Sequence, residues 1–228
     1  MSASCSIHNE NIPCVVCELL RSDRERIEVL RAANEATILA DRFKSVGIGL
    51  RFQHSVWSDY KLVAPAAGTA IAACQKYATD DSLDVGRNLL LLGAPGTGKN
   101  MLAALVCKDL VAGGRIVLHT TVAKLVRRIR DSWRGGTFGD GETAAFEIFT
   151  TPDLLVLDEI GVQRGSEDEA RIVFDVLNDR YDAMKSTVLI SNERLSDIES
   201  YLGKRTMSRI LEQHVLVPFT WADYRCRP

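Results

Sequence analysis

Short apolar runs alternate with longer, partly charged stretches from residue 69 onward. Four runs have the length and composition of buried strands: "RNLLLL", "RIVLHTT", "DLLVLDE" and "STVLISN". The stretches beside them have helical length, among them "TAIAACQKYA", "KNMLAALVCKDLVAGG", "VAKLVRRIRDSWRGG" and "EDEARIVFDVLNDRYDAM". Strands that alternate with helices predict an α/β fold, with a parallel sheet covered by helices on both faces.

The part of the chain before residue 69 has a different pattern. Residues 18–43 contain no Gly or Pro and set isolated apolar positions among charges, which predicts one solvated helix. Gly, Pro and aromatic residues then interrupt the pattern over 44–68, as is typical of a linker with aromatic anchors. We therefore divide the chain into an N-terminal region 1–50, a linker 51–68 and a main domain 69–228.

Composition narrows the class of protein without deciding its function. The 228 residues are 46% hydrophobic and 25% charged, as in an ordinary globular chain. A net charge of −2 gives no general attraction for nucleic acid, so any such contact must be local. No apolar run approaches the roughly 20 residues that span a bilayer, and the N-terminus lacks the pattern of a secretion signal. We expect a cytoplasmic protein without membrane contact.

A glycine-rich loop, "GAPGTGKN" at 93–100, follows an apolar strand and precedes a helix. Glycines let the backbone turn tightly and direct N–H groups at phosphate oxygens, and the helix adds the positive end of its dipole. The alternative, a glycine turn beside a lysine by chance, does not explain this context. We predict an ATP-binding loop made of Gly93, Ala94, Pro95, Gly96, Thr97, Gly98, Lys99, Asn100 and Met101.

The residue after the loop lysine departs from the usual pattern. Lys99 would reach the β- and γ-phosphates, and the next position normally holds Ser or Thr, whose hydroxyl ligates Mg²⁺. Here it holds Asn100. A carboxamide oxygen extends about one bond further than a hydroxyl and can also meet Mg²⁺ or one of its waters.

Polar side chains end two further strands. Asp158 and Glu159 follow an apolar run, and a buried carboxylate pair is costly unless it has a task. We predict that Asp158 holds Mg²⁺ together with Asn100, and that Glu159 deprotonates the attacking water. Asn192 ends another strand and is a candidate to hold the water or touch the γ-phosphate. The alternatives are a surface turn for the acidic pair and a helix cap for Asn192.

Four segments occur in an order that resembles one family: "GAPGTGKNMLAA", "LLVLDEIGVQ", "STVLISNERL" and "YLGKRTMSRI". Over residues 50–227 the chain is similar to the AAA+ ATPases of the DnaC type, which load replicative helicases, and to the IstB-type transposition helpers. The resemblance implies a three-layer P-loop fold with a five-stranded parallel sheet and ATP hydrolysis between neighbouring subunits of a spiral oligomer. It also makes Asn100 a shared feature of DnaC-type loaders.

The same resemblance assigns further residues. Asn192 becomes the sensor, and "GKRTMSRI" contains the arginine finger, with Arg209 our first candidate and Arg205 the second; surface ion pairs are the alternative. Arg225 resembles a nucleotide-contacting sensor near the C-terminus. Only about 36 residues follow Asn192, too few for the usual helical lid, so we expect none and the role of Arg225 stays open.

A basic helix is predicted over "KLVRRIRDSWR". Arg127, Arg130 and Arg134 share one side at i, i+3 and i+7. The functional interpretation is a contact to single-stranded DNA, with arginines on phosphates and Trp133 stacked on a base. The alternative is an amphipathic helix whose apolar stripe, including Trp133, faces the core.

The first residues carry a possible zinc site. The spacing C-x₂-H-x₅-C-x₂-C suits a closed, structural Zn²⁺ knuckle, and incidental cysteines are the alternative. Its four ligands would be Cys5, His8, Cys14 and Cys17. Knuckles of this spacing resemble those of phage and prophage loaders.

These features favour an ATP-dependent loader that places a DnaB-type replicative helicase on single-stranded DNA, with slow hydrolysis driving release. The N-terminal region would grip the helicase, and the ATP sites would drive self-association. The open alternatives are an IstB-like transposition helper that acts on duplex DNA and a non-hydrolysing adaptor switched by ATP. Glu159 disfavours the adaptor, because a pure switch needs no general base.

Overall fold

The computed structural model describes residues 21–30, 41–43, 45–133, 141–161 and 167–226. The chain divides into two compact units, residues 1–42 and 43–228. In the smaller unit, residues 21–30 are helical, inside the range where a helix is predicted. The predicted zinc ligands lie outside the described residues; they are Cys5, His8, Cys14 and Cys17.

Five parallel strands form the sheet of the larger unit, in the order β2-β3-β4-β1-β5. This is the five-stranded parallel sheet that the resemblance implies. The strands are β1 (Asn88–Gly93), β2 (Val117–Thr121), β3 (Leu154–Asp158), β4 (Ser186–Ser191) and β5 (His214–Phe219). Because β4 lies between β1 and β3, the three strands that end in predicted site residues are neighbours.

Seven helices surround this sheet in the described part of the larger unit. They are α1 (Pro65–Thr79), α2 (Lys99–Ala112), α3 (Val122–Trp133), α4 (Glu142–Thr150), α5 (Glu167–Asp182), α6 (Leu195–Leu202) and α7 (Lys204–Glu212). Short 3₁₀ helices occur at Leu50–Phe52, Trp57–Asp59 and Tyr224–Cys226. None of the helices described is long and apolar enough to cross a bilayer.

Both faces of the sheet are buried, and successive side chains of a strand point to opposite faces. Leu90 and Leu92 pack in one apolar cluster with α3, α4, α5, α6 and α7. Their neighbours Leu89 and Leu91 point to the opposite face and are also fully buried. A sheet covered on both faces follows, as the apolar runs predict.

The fifth strand and three helices were not predicted from the residue pattern. Strand β5 has only two buried positions, Val217 and Phe219, and contains Pro218. It pairs with β1 alone, and an edge strand tolerates proline because one side of its backbone has no partner. Helices α4, α6 and α7 are eight or nine residues long, too short for a clear helical period.

Residues 51–68, where we expected a linker, belong to the larger unit. Lys108 on α2 donates from Nζ to the carbonyls of Gln53 (3.0 Å) and Ser55 (2.6 Å). Trp57 donates from Nε1 to Asp109 Oδ2 at 2.9 Å. Trp57 thus anchors this segment as an aromatic residue, and together with Lys108 it fastens the segment along the helix that follows the glycine loop.

Candidate functional site

The glycine loop joins β1 to α2 at the carboxyl edge of the sheet. Gly96 (φ 71°) and Gly98 (φ 94°) adopt left-handed backbone conformations that side-chain-bearing residues rarely occupy. Gly98 is the N-cap residue of α2 and, having no side chain, cannot itself cap the N–H groups of the first turn. The N–H groups of the turn are thus available to phosphate oxygens.

The Lys99 side chain hydrogen-bonds to the first two residues of its own loop. Its Nζ donates to the carbonyl oxygens of Gly93 (2.6 Å) and Ala94 (2.8 Å). Burial lowers the pKa of Lys99 to about 8, an effect that Asp158 opposes and Arg225 reinforces. A phosphate chain in the loop would replace two neutral carbonyls with charged oxygens, which the ammonium group prefers.

Asn100 reaches across β4 to the acidic pair. Its Nδ2 donates to Asp158 Oδ2 at 2.5 Å, and the Glu159 N–H donates to Asp158 Oδ1 at 2.8 Å. Burial raises the pKa of Asp158, while these two hydrogen bonds and the charge of Lys99 lower it. The carboxylate form is therefore held by donors on both of its oxygens.

The donor set fits Mg²⁺. The metal typically takes one or two carboxylates, with phosphate oxygens and waters completing its shell. Asp158 supplies the carboxylate. With Asn100 Nδ2 engaged by Asp158, its Oδ1 is the atom left to meet the metal or a metal-bound water. In the described ranges no group of three or more His, Cys, Asp or Glu side chains is placed to hold a metal.

Glu159, the residue that follows β3, has a strained backbone conformation. Its φ is 62°, in a region that costs a non-glycine residue on the order of 1–3 kcal/mol. The next residue secures the turn, because the Ile160 N–H donates to the Ile190 carbonyl (3.2 Å) and Ser191 Oγ donates to the Ile160 carbonyl (2.6 Å). With this backbone conformation the Glu159 side chain is exposed at the cavity, whereas Asp158 is buried.

One cavity of about 550 Å³ collects most of the predicted site. Asn192, exposed just after β4, lies along it with the loop and the acidic pair. The predicted residues that line it are Pro95, Gly96, Thr97, Gly98, Lys99, Asn100, Met101, Asp158, Glu159, Asn192 and Arg225. The sheet thus brings together at one edge residues that are far apart in sequence.

The C-terminal segment contacts the loop in a way that sequence analysis missed. Trp221 Nε1 donates to the Thr97 carbonyl (3.0 Å), and the Tyr224 N–H donates to the Gly96 carbonyl (3.0 Å). A Cβ atom at Gly96 would lie 1.7 Å from Asp223 Oδ1, so a larger residue would have to displace the Asp223 carboxylate. Arg225 lines the cavity, and its guanidinium donates to Asp223 at 3.0 and 3.2 Å.

Neither arginine-finger candidate lines this cavity. Arg209 packs 4.8 Å from the centre of the Tyr181 ring and 3.9 Å from Asp182, and it lines a second cavity beside the first residue of β1. Its Nη1 is buried without a hydrogen-bond partner among the described residues. Arg205, one turn earlier on α7, is exposed.

The basic helix α3 has an apolar face and a charged face. Leu125 and Ile129 are fully buried, whereas Trp133 is 46% exposed and so does not belong to the core stripe. Arg127 is exposed, and Arg130 donates to Asp168 at 2.9 Å. The predicted DNA contact Arg134 lies outside the described residues.

The low pKa of Lys99 predicts proton uptake when ATP binds. Phosphate charge raises the pKa of the lysine. A Lys99 side chain that is partly deprotonated near pH 8 must therefore gain a proton when ATP binds. Affinity for ATP should therefore fall as the pH rises through about 8. Calorimetry near this pH, in two buffers of different ionisation enthalpy, measures the uptake.

Lys99→Arg provides the control, because a guanidinium stays charged and should abolish the proton uptake. An observed binding enthalpy that is independent of buffer, with flat affinity between about pH 7 and about pH 9, would contradict this account of Lys99.

Comparisons with known proteins agree with this geometry. Residues 51–222 match the family described as IstB-like ATP binding protein. The replicative helicase loader DnaC of Escherichia coli (strain K12) is 30% identical over 215 residues, which cover 92% of this chain and 86% of that protein. DnaC of Buchnera aphidicola subsp. Acyrthosiphon pisum is 29% identical over 78% of this chain and 72% of its own length.

Solved structures share the fold. The crystal structure of the DnaC helicase loader superposes with a TM-score of 0.67 at 22% identity, covering 75% of this chain and 99% of that one. AMPPCP-bound DnaA from Aquifex aeolicus gives 0.62 at 17% identity, covering 76% of this chain and 51% of the other. With this fold, this site and these relatives, the chain belongs to the IstB-like ATP-binding AAA+ ATPases and is related to the helicase loader DnaC.

Proposed function

We propose that the chain is a helicase loader, which uses ATP to place a replicative helicase of the DnaB type on single-stranded DNA. The observation that carries this proposal is the extent of the similarity to DnaC. It spans 92% of the chain, more than residues 43–228 can supply alone, and so extends into the smaller unit. A relative that shared only ATP hydrolysis would be expected to match the ATPase unit alone.

The ATPase residues take the following roles in this proposal. Lys99 binds the β- and γ-phosphates, and Asp158 holds Mg²⁺ with the support of Asn100. Glu159 is the general base, and its strained, exposed placement suits contact with a water in the cavity. Asn192, beside the acidic pair, senses the γ-phosphate or positions that water. Mg²⁺ neutralises phosphate charge when it is bound.

The arginine finger of this proposal acts on a neighbouring subunit. Such a residue must project from the surface to reach the γ-phosphoryl group of the other chain. Arg205 is exposed, whereas the Arg209 guanidinium is engaged by the Tyr181 ring and lies near Asp182. Exposure therefore favours Arg205, our second candidate from the sequence, over Arg209.

A mixing experiment separates the two arginines. Arg205→Ala should lower kcat at least about tenfold with little change in ATP affinity, because the finger acts on the transition state. Equimolar addition of Lys99→Ala subunits should restore part of the activity, since these subunits keep the finger and lend it to intact ATP sites. Arg209→Ala serves as the matched control. Rescue of Arg209→Ala but not of Arg205→Ala would reverse the assignment.

Binding of single-stranded DNA is assigned to α3. Arg127 is exposed on the charged face, and Trp133 presents an exposed ring to which a base can stack. Arg130 would have to exchange Asp168 for phosphate, and Arg134 would extend the same side. We further propose that Cys5, His8, Cys14 and Cys17 hold Zn²⁺ and that this N-terminal region grips the helicase.

The proposal is tested with circular single-stranded DNA, which a closed helicase ring cannot thread. Full-length protein, a DnaB-type helicase that it binds and ATP should leave the helicase on the circle after gel filtration, and Lys99→Ala protein should not. Arg127→Ala should weaken loading and reduce the salt dependence of DNA binding by about one phosphate contact. Arg171→Ala, which removes an exposed arginine from α5, is the charge-matched control.

The match to the IstB-like family supports one other candidate function, that of a transposition helper that assembles on duplex DNA. It is distinguished by the same reagents. ATP hydrolysis stimulated by duplex and not by single-stranded DNA, with no helicase retained on the circle, would overturn the loader proposal.

A further inference from the structure

The carbonyl oxygen of Thr97, inside the phosphate loop, accepts hydrogen bonds from two side chains outside the loop. Tyr60 Oη donates to it at 2.9 Å, and Trp221 Nε1 donates to it at 3.0 Å. Thr97 is 2% exposed, Tyr60 7% and Trp221 8%, so both bonds are largely shielded from water. The two donors come from the segments before α1 and after β5, neither of which contains a phosphate-loop motif.

We propose that Tyr60 and Trp221 are positioning residues that set the phosphate loop for ATP. The Thr97–Gly98 peptide is trans and planar, so its C=O and N–H point in opposite directions. Holding the Thr97 carbonyl fixes the plane of this peptide, and with it the direction of the Gly98 N–H, at the wall of the nucleotide cavity. The Tyr224 N–H holds the Gly96 carbonyl at 3.0 Å and orients the Thr97 N–H in the same way.

Packing fixes both donors in place. The Tyr60 ring lies against Gly98, where a Cβ atom would approach it to 2.7 Å. Burial raises the pKa of Tyr60, so its hydroxyl remains a proton donor at neutral pH. Trp221 packs on Phe219, with ring centres 4.9 Å apart, and Phe219 contacts the loop at Gly93.

These bonds gain importance once ATP binds. In the structure Lys99 donates to the Gly93 and Ala94 carbonyls. When its ammonium group turns to the phosphates, those two bonds are lost. The bonds from Tyr60 and Trp221 do not involve Lys99, so they remain to hold the loop around the phosphate chain.

The test measures ATP affinity of Tyr60→Phe and Trp221→Phe, each of which deletes one donor and keeps an aromatic ring. Each should raise the Kd and KM for ATP roughly three- to tenfold while kcat changes less than about twofold. The double variant should lose more than the product of the two, because it leaves the Thr97 carbonyl buried without either donor.

A matched control removes a hydrogen bond of the same kind away from the loop. Tyr77→Phe deletes a hydroxyl that donates to the Arg87 carbonyl at 2.7 Å. It should lower Tm as much as the test variants and leave ATP affinity unchanged. Equal effects on Tm with no selective loss of ATP affinity would overturn the positioning role.

Competition by inorganic tripolyphosphate separates loop positioning from contact with the base or ribose, since Tyr60 and Trp221 also line the cavity. Weaker binding of tripolyphosphate, by the same factor as ATP, supports the proposal; a loss confined to ATP overturns it. If Trp221→Phe does not fold, Tyr60→Phe decides alone, because it removes a single oxygen atom. Tyr60 and Trp221 are proposed to act on ATP binding only, so a negative result for their variants leaves the loader proposal intact. The affinity of wild-type protein for ATP tests the ATP site separately.

Discussion

The hydrogen bond between Asn100 and Asp158 joins the two halves of the ATP site across the intervening strand β4. A carboxylate buried at the end of β3 is costly unless donors compensate for the lost water. Asn100 supplies one donor, the Glu159 backbone a second, and Lys99 a nearby positive charge. Asn100, which departs from the usual loop pattern, is therefore one of the groups that stabilise the carboxylate form of Asp158.

Two other features lie near this contact: the strained backbone of Glu159 and the hydrogen bonds that hold the phosphate loop. Glu159 adopts an unfavourable backbone conformation, which the fixed turn at Ile160 and Ser191 maintains. The loop itself is held from outside by Tyr60 and Trp221, which belong to segments on either side of the ATPase motifs. A change in either segment, such as one caused by a partner, would alter the loop without touching the nucleotide.

Local patterns in the sequence were sufficient for much of this architecture. Strands β1 to β4 appear as apolar runs, and the loop, Asp158 and Glu159 are recognisable because each follows such a run directly. Their meeting at one edge follows from parallel pairing, which places carboxyl ends together. Edge strand β5 was not apparent from its residue pattern, because an exposed, proline-containing strand has little apolar signal.

Contacts between distant residues could not be predicted. Tyr60 and Trp221 are 37 and 124 positions from Thr97, and nothing in their local sequence indicates a shared acceptor. The engagement of Arg209 by Tyr181 and of Arg130 by Asp168 depends in the same way on how helices pack. Sequence analysis could mark these arginines as candidates but could not say which guanidinium groups are already engaged.

ATP affinity with and without Mg²⁺, measured for wild-type protein and for Asn100→Ala, decides whether Asn100 orients a metal ligand. Loss of a residue that orients a metal ligand typically lowers metal affinity about 10- to 100-fold. The account predicts that wild-type protein binds ATP more tightly with Mg²⁺ and that Asn100→Ala loses most of this gain while still binding metal-free ATP. An equal gain from Mg²⁺ in both proteins would contradict the role assigned to Asn100.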